Sequence, residues 1–412
     1  MKIPLASSGL RKQDIEAAKL VLDSTHYTMG NKVSEFESLM ASYLRVDNFV
    51  MVNSGSSANL VIFEALLRPS IGKPKLMPGD RILVPAVAWP TTIWPIVQLG
   101  LRPVFVDVNK DSLAIDLKLA QKMMDQQAGI KAIFPIHPLG FCIDHESLDS
   151  FCSKNSLVQI NDVCESLGSW RGDLHAGTSG LGSSFSFYFS HHITTMEGGG
   201  IATNNLEFAD DIRAMRSHGW SRDRTDALKW KNDFNSELST SLISQNQLKF
   251  QFITTGYNLR PLEIEAAIGI EQLKDLDSFV RRRRYIAKFL KNALKETIFE
   301  IMDGGTLNDS ALEESHSWMF ICLRVNKKIT QEIRITLDKL LEEYEIESRP
   351  ALTGNFLAQP VMKMLNEMPD PMDFPIAQQV STNYFMVSAH HDLSDLQVEY
   401  LANSLKQISK KI

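Results

Sequence analysis

The chain has 412 residues, of which 44% are hydrophobic and 22% are charged, and its formal net charge at pH 7 is −6. This length predicts one large domain with a smaller companion, and the slightly acidic balance provides no basic face for nucleic acid. No apolar run reaches the roughly 18 residues that a membrane span needs, and Arg11, Lys12 and Asp14 interrupt the start, where a signal peptide would be apolar. We therefore expect a cytoplasmic protein without nucleic-acid or membrane partners.

The cysteine pattern also favours a cytoplasmic location. Cys142, Cys152, Cys164 and Cys322 form no C-x-x-C pair and show no zinc-ligand spacing. We expect reduced thiols that pack as small buried hydrophobic residues, and no metal site.

Predicted helices and strands alternate along the first part of the chain. The segments "DIEAAKLVLDS" and "VSEFESLMASYLRV" have apolar residues at helical spacing, and "SGSSANLVIFEALL" passes from small polar residues into a third helix. Predicted strands follow in "DRILVPAVA", "RPVFVDVN", "IKAIFPIH", "LVQINDV", "SSFSFYF" and "GGIATNN", with helical patterns such as "TTIWPIVQLG" and "LKLAQKMMDQ" between several of them. This alternation favours a parallel or mixed sheet that helices cover on both faces.

The pattern changes near residue 275. A long helical stretch, "EIEAAIGIEQLKDLDSFVRRRRYIAKFLKNAL", precedes three segments that indicate a small α+β domain: "SHSWMFICLRV", "ITQEIRITLDKLLEEYEI" and "DLQVEYLANSLKQI". We place the boundary inside the helical stretch and predict domains 1–275 and 276–412. The basic run from Arg281 to Arg284 is interpreted as a solvated helix face and not as a nucleic-acid site.

Polar side chains stand where ligands of open α/β sheets bind, after predicted strands and at helix starts. In "NSGSSANL", Gly55 permits close backbone approach and Ser56 opens a helix, as in an anion site, although an ordinary helix cap explains the same residues equally well. In "QINDVCESLG", Asp162 ends an apolar strand and Glu165 follows it; a buried acid there needs a cation or a donor. "VAWPTTIWP" offers Trp89 as a flat face, although a lone tryptophan more often belongs to a core.

Together these segments resemble the pyridoxal-phosphate-dependent sugar aminotransferases of the DegT/DnrJ/EryC1/StrS family. The likeness covers nearly the whole chain and includes "SFYFSHHITTMEGGG", "RSHGWSR", "GYNLRPLEIEAAIGIEQL", "SRPALTGNF" and "VSAHH". It implies an α/β fold of the aspartate-aminotransferase type (fold type I), with a mixed, mostly parallel central sheet and a smaller C-terminal α+β domain. Where the family normally has a cofactor-binding lysine, this chain has His191, and no lysine lies between Lys154 and Lys229. A histidine there is typical of the dehydratase branch of the family.

The resemblance implies a set of cofactor-binding residues. Asp162 would pair with the pyridine nitrogen of pyridoxal phosphate and keep it protonated, so that the ring accepts electrons. Trp89 would stack on the ring face. Gly55, Ser56 and Ser186 would hold the phosphate.

Further site residues are implied by the same likeness. Asn258 would reach the phosphate from the other subunit of a homodimer, so that the two chains share active sites. Glu165 stands where the aminotransferases often have Gln or His, and its expected role is linked to the histidine. Arg260 and Arg349 are candidates for binding nucleotide phosphates or a glutamate carboxylate, with a salt bridge between domains as the alternative. Two more candidates for substrate contact are His218 and Arg222.

The implied activity follows from the missing lysine. The cofactor would bind noncovalently and work as pyridoxamine phosphate, with His191 as the base, because an unperturbed histidine pKa of about 6.5 suits taking and returning a proton near neutrality. The resemblance implies a lyase of deoxysugar and lipopolysaccharide O-antigen biosynthesis. It would remove the C3 hydroxyl of a nucleotide-linked 4-keto-6-deoxyhexose, with GDP-4-keto-6-deoxy-D-mannose as the expected substrate. L-Glutamate would regenerate pyridoxamine phosphate, and ammonia would be released. For His192, packing or a local hydrogen bond is the simpler role.

Two other functions stay open. A 3-dehydratase for CDP-4-keto-6-deoxyglucose would add an iron-sulfur cluster, which needs four cysteines grouped toward the C-terminal half, whereas only Cys322 lies there. The second is an aminotransferase-like protein that has lost catalysis. The presence together of Asp162, Ser186, Trp89 and Asn258 argues against it.

Overall fold

The computed structural model describes residues 1–7, 9–230 and 250–412. Its strands are β1 Asn48–Val52, β2 Arg81–Pro85, β3 Arg102–Val106, β4 Ile130–Ile133, β5 Val158–Asp162, β6 Trp170–Arg171, β7 Leu174–His175, β8 Gly182–Ser186, β9 Gly199–Thr203, β10 Phe299–Ile301, β11 Phe320–Val325 and β12 Tyr384–Ser388. Its α-helices are α1 Lys12–Leu22, α2 Asn31–Leu44, α3 Gly55–Leu67, α4 Pro90–Gln98, α5 Leu117–Gln126, α6 His145–Asn155, α7 Leu206–Met215, α8 Glu263–Lys274, α9 Leu276–Ala293, α10 Gln331–Glu343, α11 Pro375–Asn383 and α12 Asp395–Lys411. No helix in these ranges is both long enough and apolar enough to cross a membrane.

A seven-stranded sheet forms the centre of the molecule, in the order β1-β9-β8-β5-β4-β2-β3. The pairs β2–β3, β2–β4, β4–β5 and β5–β8 are parallel, and β9 runs antiparallel to both β8 and β1. The predicted mixed, mostly parallel sheet is therefore confirmed. The strand β1 was not predicted, because "NFVMV" is short, continuously apolar and buried at every position, so it shows no alternation.

A three-stranded antiparallel sheet, β10-β11-β12, lies in the C-terminal part and confirms the smaller α+β region. Its own hydrophobic cluster includes Ile321, Leu323, Phe385, Val387 and Leu401. Ile3 joins this cluster and bridges to Ile346, so the first residues of the chain pack on the C-terminal part.

The long helical stretch predicted around residue 275 is two helices. Asp275 has φ −110° and ψ 3°, which is outside the helical region and separates α8 from α9. The interpretation of the basic run on α9 as a solvated face is wrong for Arg283, which is 0% exposed. Successive residues of an α-helix are about 100° apart, so four in a row cover most of the circumference and one of them points to the core.

The helix α3 begins directly after β1 and packs against the sheet. Its side chains are buried on nearly every side, among them Val61, Ile62 and Phe63. Oγ of Ser54 accepts a hydrogen bond from the Ser57 nitrogen at 3.0 Å and so caps the first turn. This arrangement fixes the N-terminus of α3 at the carboxyl edge of the sheet.

The cysteines are all free thiols. Cys142, Cys152 and Cys322 are buried, as predicted for small hydrophobic residues, whereas Cys164 is only partly buried because it follows the end of β5.

Candidate active site

A cavity of about 420 Å³ lies at the carboxyl edge of the seven-stranded sheet. Residues that follow β1, β2, β5 and β8 line one side, and Met319, Phe320 and Met386 from the small-sheet region line another. The cavity brings together the predicted site residues Gly55, Ser56, Trp89, Asp162, Glu165, Ser186, His191 and Arg349. Ligands of open α/β sheets bind at this edge.

The carboxylate of Asp162 is held at the end of β5 by neutral donors. Its Oδ2 accepts hydrogen bonds from Nδ2 of Asn59 at 3.0 Å and from Oγ1 of Thr92 at 2.8 Å, and its Oδ1 accepts one from the Cys164 nitrogen at 3.1 Å. Asp162 is only 4% exposed, and it has no ion pair within the described chain. A buried carboxylate at a cavity wall, oriented but without a cation, fits a ligand that offers a positively charged N–H.

The N-terminus of α3 contacts the end of β8 at the cavity wall. A Cβ added to Gly55 would lie 2.5 Å from Cβ of Ser186 and 3.0 Å from Sγ of Cys164, so this close approach requires glycine. The amides of Gly55 and Ser56 donate to no other described residue, and the helix dipole favours negative charge at this point. The hydroxyls of Ser56 and Ser186 line the same wall. Together they form a site suited to a phosphate.

The loop between β8 and β9 carries the two histidines. The His191 nitrogen donates to the carbonyl of Tyr188 at 2.9 Å, and the two rings meet edge to face with centroids 6.2 Å apart. Nδ1 of His191 is buried and has no hydrogen-bond partner in the described chain. Burial, with a smaller contribution from Arg283, lowers the pKa of His191 to about 3. The ring is therefore neutral at physiological pH and free to accept a proton.

The neighbouring histidine has a different environment. His192 is 1% exposed, and its Nε2 lies 3.2 Å from the carbonyl oxygen of Ser317, to which it donates. Burial lowers the pKa of His192 well below its usual value. The prediction of a packing or local hydrogen-bonding role is confirmed, and His192 does not line the cavity.

Glu165 is the second acid of the cavity wall. Its Oε2 accepts a hydrogen bond from the Leu139 nitrogen at 2.8 Å. Burial, together with the nearby charge of Asp162, raises the pKa of Glu165 to about 8. The group is thus mostly protonated at neutral pH and can donate a hydrogen bond into the cavity.

The cavity mouth is formed by exposed side chains. Trp89 is 52% exposed, so the alternative of a core tryptophan is wrong. It directly precedes α4, and Pro90 occupies the first helical position. Arg349 pairs through its backbone with Met386 at 3.2 Å and 2.7 Å, while its exposed guanidinium forms no ion pair with a described residue. No salt bridge between domains forms at Arg349 within the described residues.

Four predicted residues lie outside the cavity of the single chain. Asn258 is exposed, and its Oδ1 accepts a hydrogen bond from Nε of Arg260 at 3.0 Å; Arg260 forms no ion pair with any residue the structure covers. His218 is exposed, with φ +65°. The guanidinium of Arg222 lies 4.0 Å over the Trp220 ring and its Nε donates to Asp223. Their roles stay predictions, and only that of Asn258 involves a second chain.

Some residues that line the cavity or support its lining were not predicted. Asn59 and Thr92 donate hydrogen bonds to Asp162. Both lie in the segments "NSGSSANL" and "VAWPTTIWP", which had been identified as candidate ligand sites, so the sequence contained a signal for them. Met319, Phe320 and Met386 are apolar residues of the distant small sheet and carry no chemical signature in the sequence.

The donor set of the cavity fits pyridoxal phosphate. The helix N-terminus at Gly55 suits the phosphate, the uncompensated carboxylate of Asp162 suits a protonated ring nitrogen, and the exposed face of Trp89 suits an aromatic ring. No lysine is among the described residues that line the cavity, so these residues provide no amine for a covalent link.

Comparison with known proteins agrees with this geometry. The model of the DegT/DnrJ/EryC1/StrS aminotransferase family matches residues 9–406. GDP-4-keto-6-deoxy-D-mannose 3-dehydratase of Yersinia pseudotuberculosis is 36% identical over 409 residues, which cover 99% of each chain. A solved structure of the E. coli GDP-4-keto-6-deoxy-D-mannose-3-dehydratase with bound hydrated PLP is 33% identical, covers 98% of this chain and all of its own, and has a TM-score of 0.86. Another, of a GDP-4-keto-6-deoxymannose-3-dehydratase with a trapped PLP-glutamate geminal diamine, has the same identity and coverage and a TM-score of 0.84.

Proposed function

This chain belongs to the DegT/DnrJ/EryC1/StrS aminotransferase family, and we propose that it is the pyridoxal-phosphate-dependent 3-dehydratase of a GDP-linked 4-keto-6-deoxyhexose, GDP-4-keto-6-deoxy-D-mannose. The observation that carries the proposal is a cofactor-type cavity that holds the neutral ring of His191 and no lysine among its described lining residues. The 36% identity to a dehydratase of that substrate over nearly the whole chain supports the nucleotide and the sugar.

The residues of this chain have distinct tasks in the proposed reaction. When bound as pyridoxamine phosphate, the cofactor supplies an amino group that condenses with the C4 ketone and a ring that stores electrons. Asp162 keeps the ring nitrogen protonated, because its carboxylate is oriented by Asn59 and Thr92 and has no other charge partner among the described residues. Gly55 and Ser186 hold the phosphate.

His191 moves the proton. Its neutral ring would accept a proton from C4′ and give it to the departing C3 hydroxyl. Burial, which lowers the pKa of His191 to about 3, keeps the ring neutral at physiological pH. Protonated Glu165 offers a second hydrogen-bond donor in the same cavity.

The partner molecules belong to the same proposal. L-Glutamate would return the cofactor to its amino form, as the trapped PLP-glutamate adduct in a relative suggests for that protein, and Arg349 provides a cation at the cavity, unpaired within the described chain, for a carboxylate or a nucleotide phosphate. The sugar product would lose ammonia on hydrolysis. The CDP-type alternative is not favoured, because the described cysteines form no cluster with metal-ligand spacing.

We also propose a homodimer with shared active sites. Asn258 is exposed and outside the cavity of its own chain, and the nearby aromatic side chains of Phe250 and Phe252 are 62% and 59% exposed, as at a surface that another protein covers. In this arrangement His218, Arg222 and Arg260 would face the partner's cavity. A cytoplasmic location fits the free thiols. The domain division at 275/276 is retained as a proposal that the separation of α8 and α9 at Asp275 supports.

An activity assay tests the function. The purified protein would be incubated with pyridoxal phosphate, L-glutamate and, in separate reactions, the GDP-, CDP- and dTDP-linked 4-keto-6-deoxy sugars. With the GDP sugar alone we expect ammonia release and a product lighter by one oxygen atom, because hydrogen replaces the C3 hydroxyl. Formation of a 4-amino sugar would indicate a transaminase, and no turnover of any sugar would overturn the proposal.

A further inference from the structure

We propose that Arg283 is a positioning residue for His191. Its buried guanidinium attaches the turn that contains the base to the region of the small sheet. The inference rests on the proposed function, in which His191 is the base, but its geometry is independent of the substrate.

One guanidinium contacts three backbone carbonyls from two parts of the fold. Nη1 of Arg283 donates to the carbonyls of Trp318 at 3.1 Å and Met319 at 2.9 Å, and Nη2 donates to the carbonyl of His191 at 3.4 Å. Met319 itself lines the cavity. Arg283 thus connects the β8–β9 loop with the residues that lead into β11.

The segment 317–319 anchors the turn at a second point. The side chain of His192 donates from Nε2 to the Ser317 carbonyl at 3.2 Å. The backbone of His191 and the side chain of His192 are therefore both fixed to the same three residues of the small-sheet region. The side chain of His191 is left free to face the cavity, with Nδ1 unpartnered in the described chain.

Packing alone does not explain an arginine here. Arg283 is 0% exposed and forms no ion pair with any described carboxylate. Its desolvation lowers the pKa of the guanidinium to about 10, which Asp392 opposes from a distance. An apolar side chain of similar length would fill this space without that cost. The residue that is present instead supplies donors in a fixed planar arrangement, which suits the orientation of several carbonyls at once.

The charge of Arg283 also affects His191, in addition to the hydrogen bonds of its guanidinium. It contributes, after burial, to the lowered pKa of His191 and so favours the neutral ring. Among the described residues, the other ionisable groups that line the cavity with His191 are Asp162, Cys164, Glu165, Tyr188, Glu197 and Arg349, and His192 adjoins it in the chain. Loss of the Arg283 charge is therefore expected to raise the pKa of His191.

The next residue of α9 is a matched control. Arg284 also binds only backbone carbonyls: its Nε donates to His316 at 3.0 Å, and its Nη2 donates to Gly168 at 3.3 Å and Glu314 at 2.9 Å. Like its neighbour, it forms no ion pair within the described residues. None of its contacts reaches the His191 turn.

The test compares equivalent variants of the two arginines in the full-length holoenzyme. Arg283→Lys keeps the charge but not the planar arrangement of donors, so we expect kcat to fall about 10- to 100-fold with KM changed less than about 3-fold, since a small displacement of a reacting group is costly. Arg284→Lys should leave kcat within about 2-fold of wild type. Equal kcat values for the two variants would overturn the proposal.

A second measurement needs no turnover. The imidazole nitrogens are labelled with ¹⁵N, and the His191 signals are assigned by their absence in His191→Asn. In Arg283→Met the midpoint of the His191 titration should rise, whereas in Arg284→Met and Arg283→Lys it should stay low. An unchanged midpoint of the His191 titration in Arg283→Met would contradict the proposed effect of the Arg283 charge. If that variant does not fold, the comparison of kcat between the two lysine variants decides. If wild-type protein dehydrates no sugar, the proposed function fails while this titration still tests Arg283.

Discussion

Oε2 of Glu165 accepts a hydrogen bond from the backbone nitrogen of Leu139 at 2.8 Å. The Leu139 carbonyl in turn accepts one from the Met319 nitrogen at 2.9 Å, so a short chain of contacts joins the acid of the cavity wall to the small-sheet region. Leu139 has φ +53°, a left-handed conformation that costs a non-glycine residue free energy and persists when its surroundings hold both of its polar groups.

The raised pKa of Glu165 predicts a pH-dependent stability. Because this pKa is about 8 in the folded chain against 4.5 for the free side chain, the folded state binds more protons than the unfolded state between these values. The free energy of unfolding therefore falls as pH rises from about 4.5 to about 8. Glu165→Gln removes this contribution, so the difference in Tm between the Glu165→Gln variant and wild-type protein should grow in favour of the variant from about pH 5 to about pH 8.5.

Differential scanning fluorimetry across that pH range measures the effect. The exposed residue Glu207 supplies the control, since Glu207→Gln should give a curve parallel to that of wild type. Parallel curves for Glu165→Gln as well would contradict the raised pKa.

The identity of the base is tested by exchanging each histidine for asparagine. His191→Asn should keep Tm and cofactor affinity but lower kcat by about 10²- to 10⁴-fold, because the group that accepts the proton is gone. Compared with His191→Asn, His192→Asn should lose less kcat but have a lower Tm, because it removes the hydrogen bond to the Ser317 carbonyl. Near-normal ammonia release by His191→Asn would place the base elsewhere.

The attachment of the cofactor is tested with borohydride. No lysine is among the described residues that line the cavity, so reduction of wild-type protein with pyridoxal phosphate, without added amine, should leave no phosphopyridoxyl peptide. His191→Lys should yield one, detected by mass spectrometry of the peptide that contains residue 191. A labelled lysine peptide from wild-type protein would refute noncovalent binding.

Shared active sites predict complementation between two inactive chains. His191→Asn lacks the base, and Asn258→Ala lacks the group expected to reach the partner's phosphate site. Heterodimers of the two should recover part of the activity, because one of the two hybrid sites has both residues intact. Differently tagged chains would be purified as verified heterodimers, and a failure to recover activity would count against sharing.

The close approach at Gly55 gives a prediction about stability and cofactor binding. In Gly55→Ala the new Cβ would lie 2.5 Å from Cβ of Ser186, so Tm and cofactor affinity should both fall. Adding Ser186→Gly removes two of the three close atoms, Cβ and Oγ of Ser186, and should restore part of Tm but not the affinity, since Ser186 is itself a proposed phosphate contact. Equal Tm values for the single and double variants would show that the contact between residue 55 and Ser186 does not determine the loss of stability.

The sequence was sufficient for features that depend on short segments. Asp162 was placed correctly at the cavity because it ends an apolar strand, and the carboxyl ends of parallel strands meet at one edge, whereas Ser186 was placed there by the family resemblance. Gly55 was placed there because small residues before an amphipathic helix indicate a tight approach. The cofactor roles of these residues stay predictions.

Other features depend on contacts that no single segment contains. The apolar wall from Met319 and Met386 has no signal, since only folding brings the small sheet to the cavity. Arg283 was wrongly expected in solvent, because a run of four arginines shows the average character of a helix and not the direction of one residue. The low pKa of His191 likewise follows from burial, which a sequence does not show.

The side chain of His191 has no hydrogen-bond partner at Nδ1 within the described structure, and the turn is fixed through its backbone. The turn therefore does not depend on hydrogen bonds at Nδ1 of the histidine ring. We expect a chain with asparagine or glutamine there to keep its fold, so a screen for thermostable variants would retain chains that lack the proposed base. It also means that reaction type can diverge among related chains through one codon while the scaffold is left unchanged.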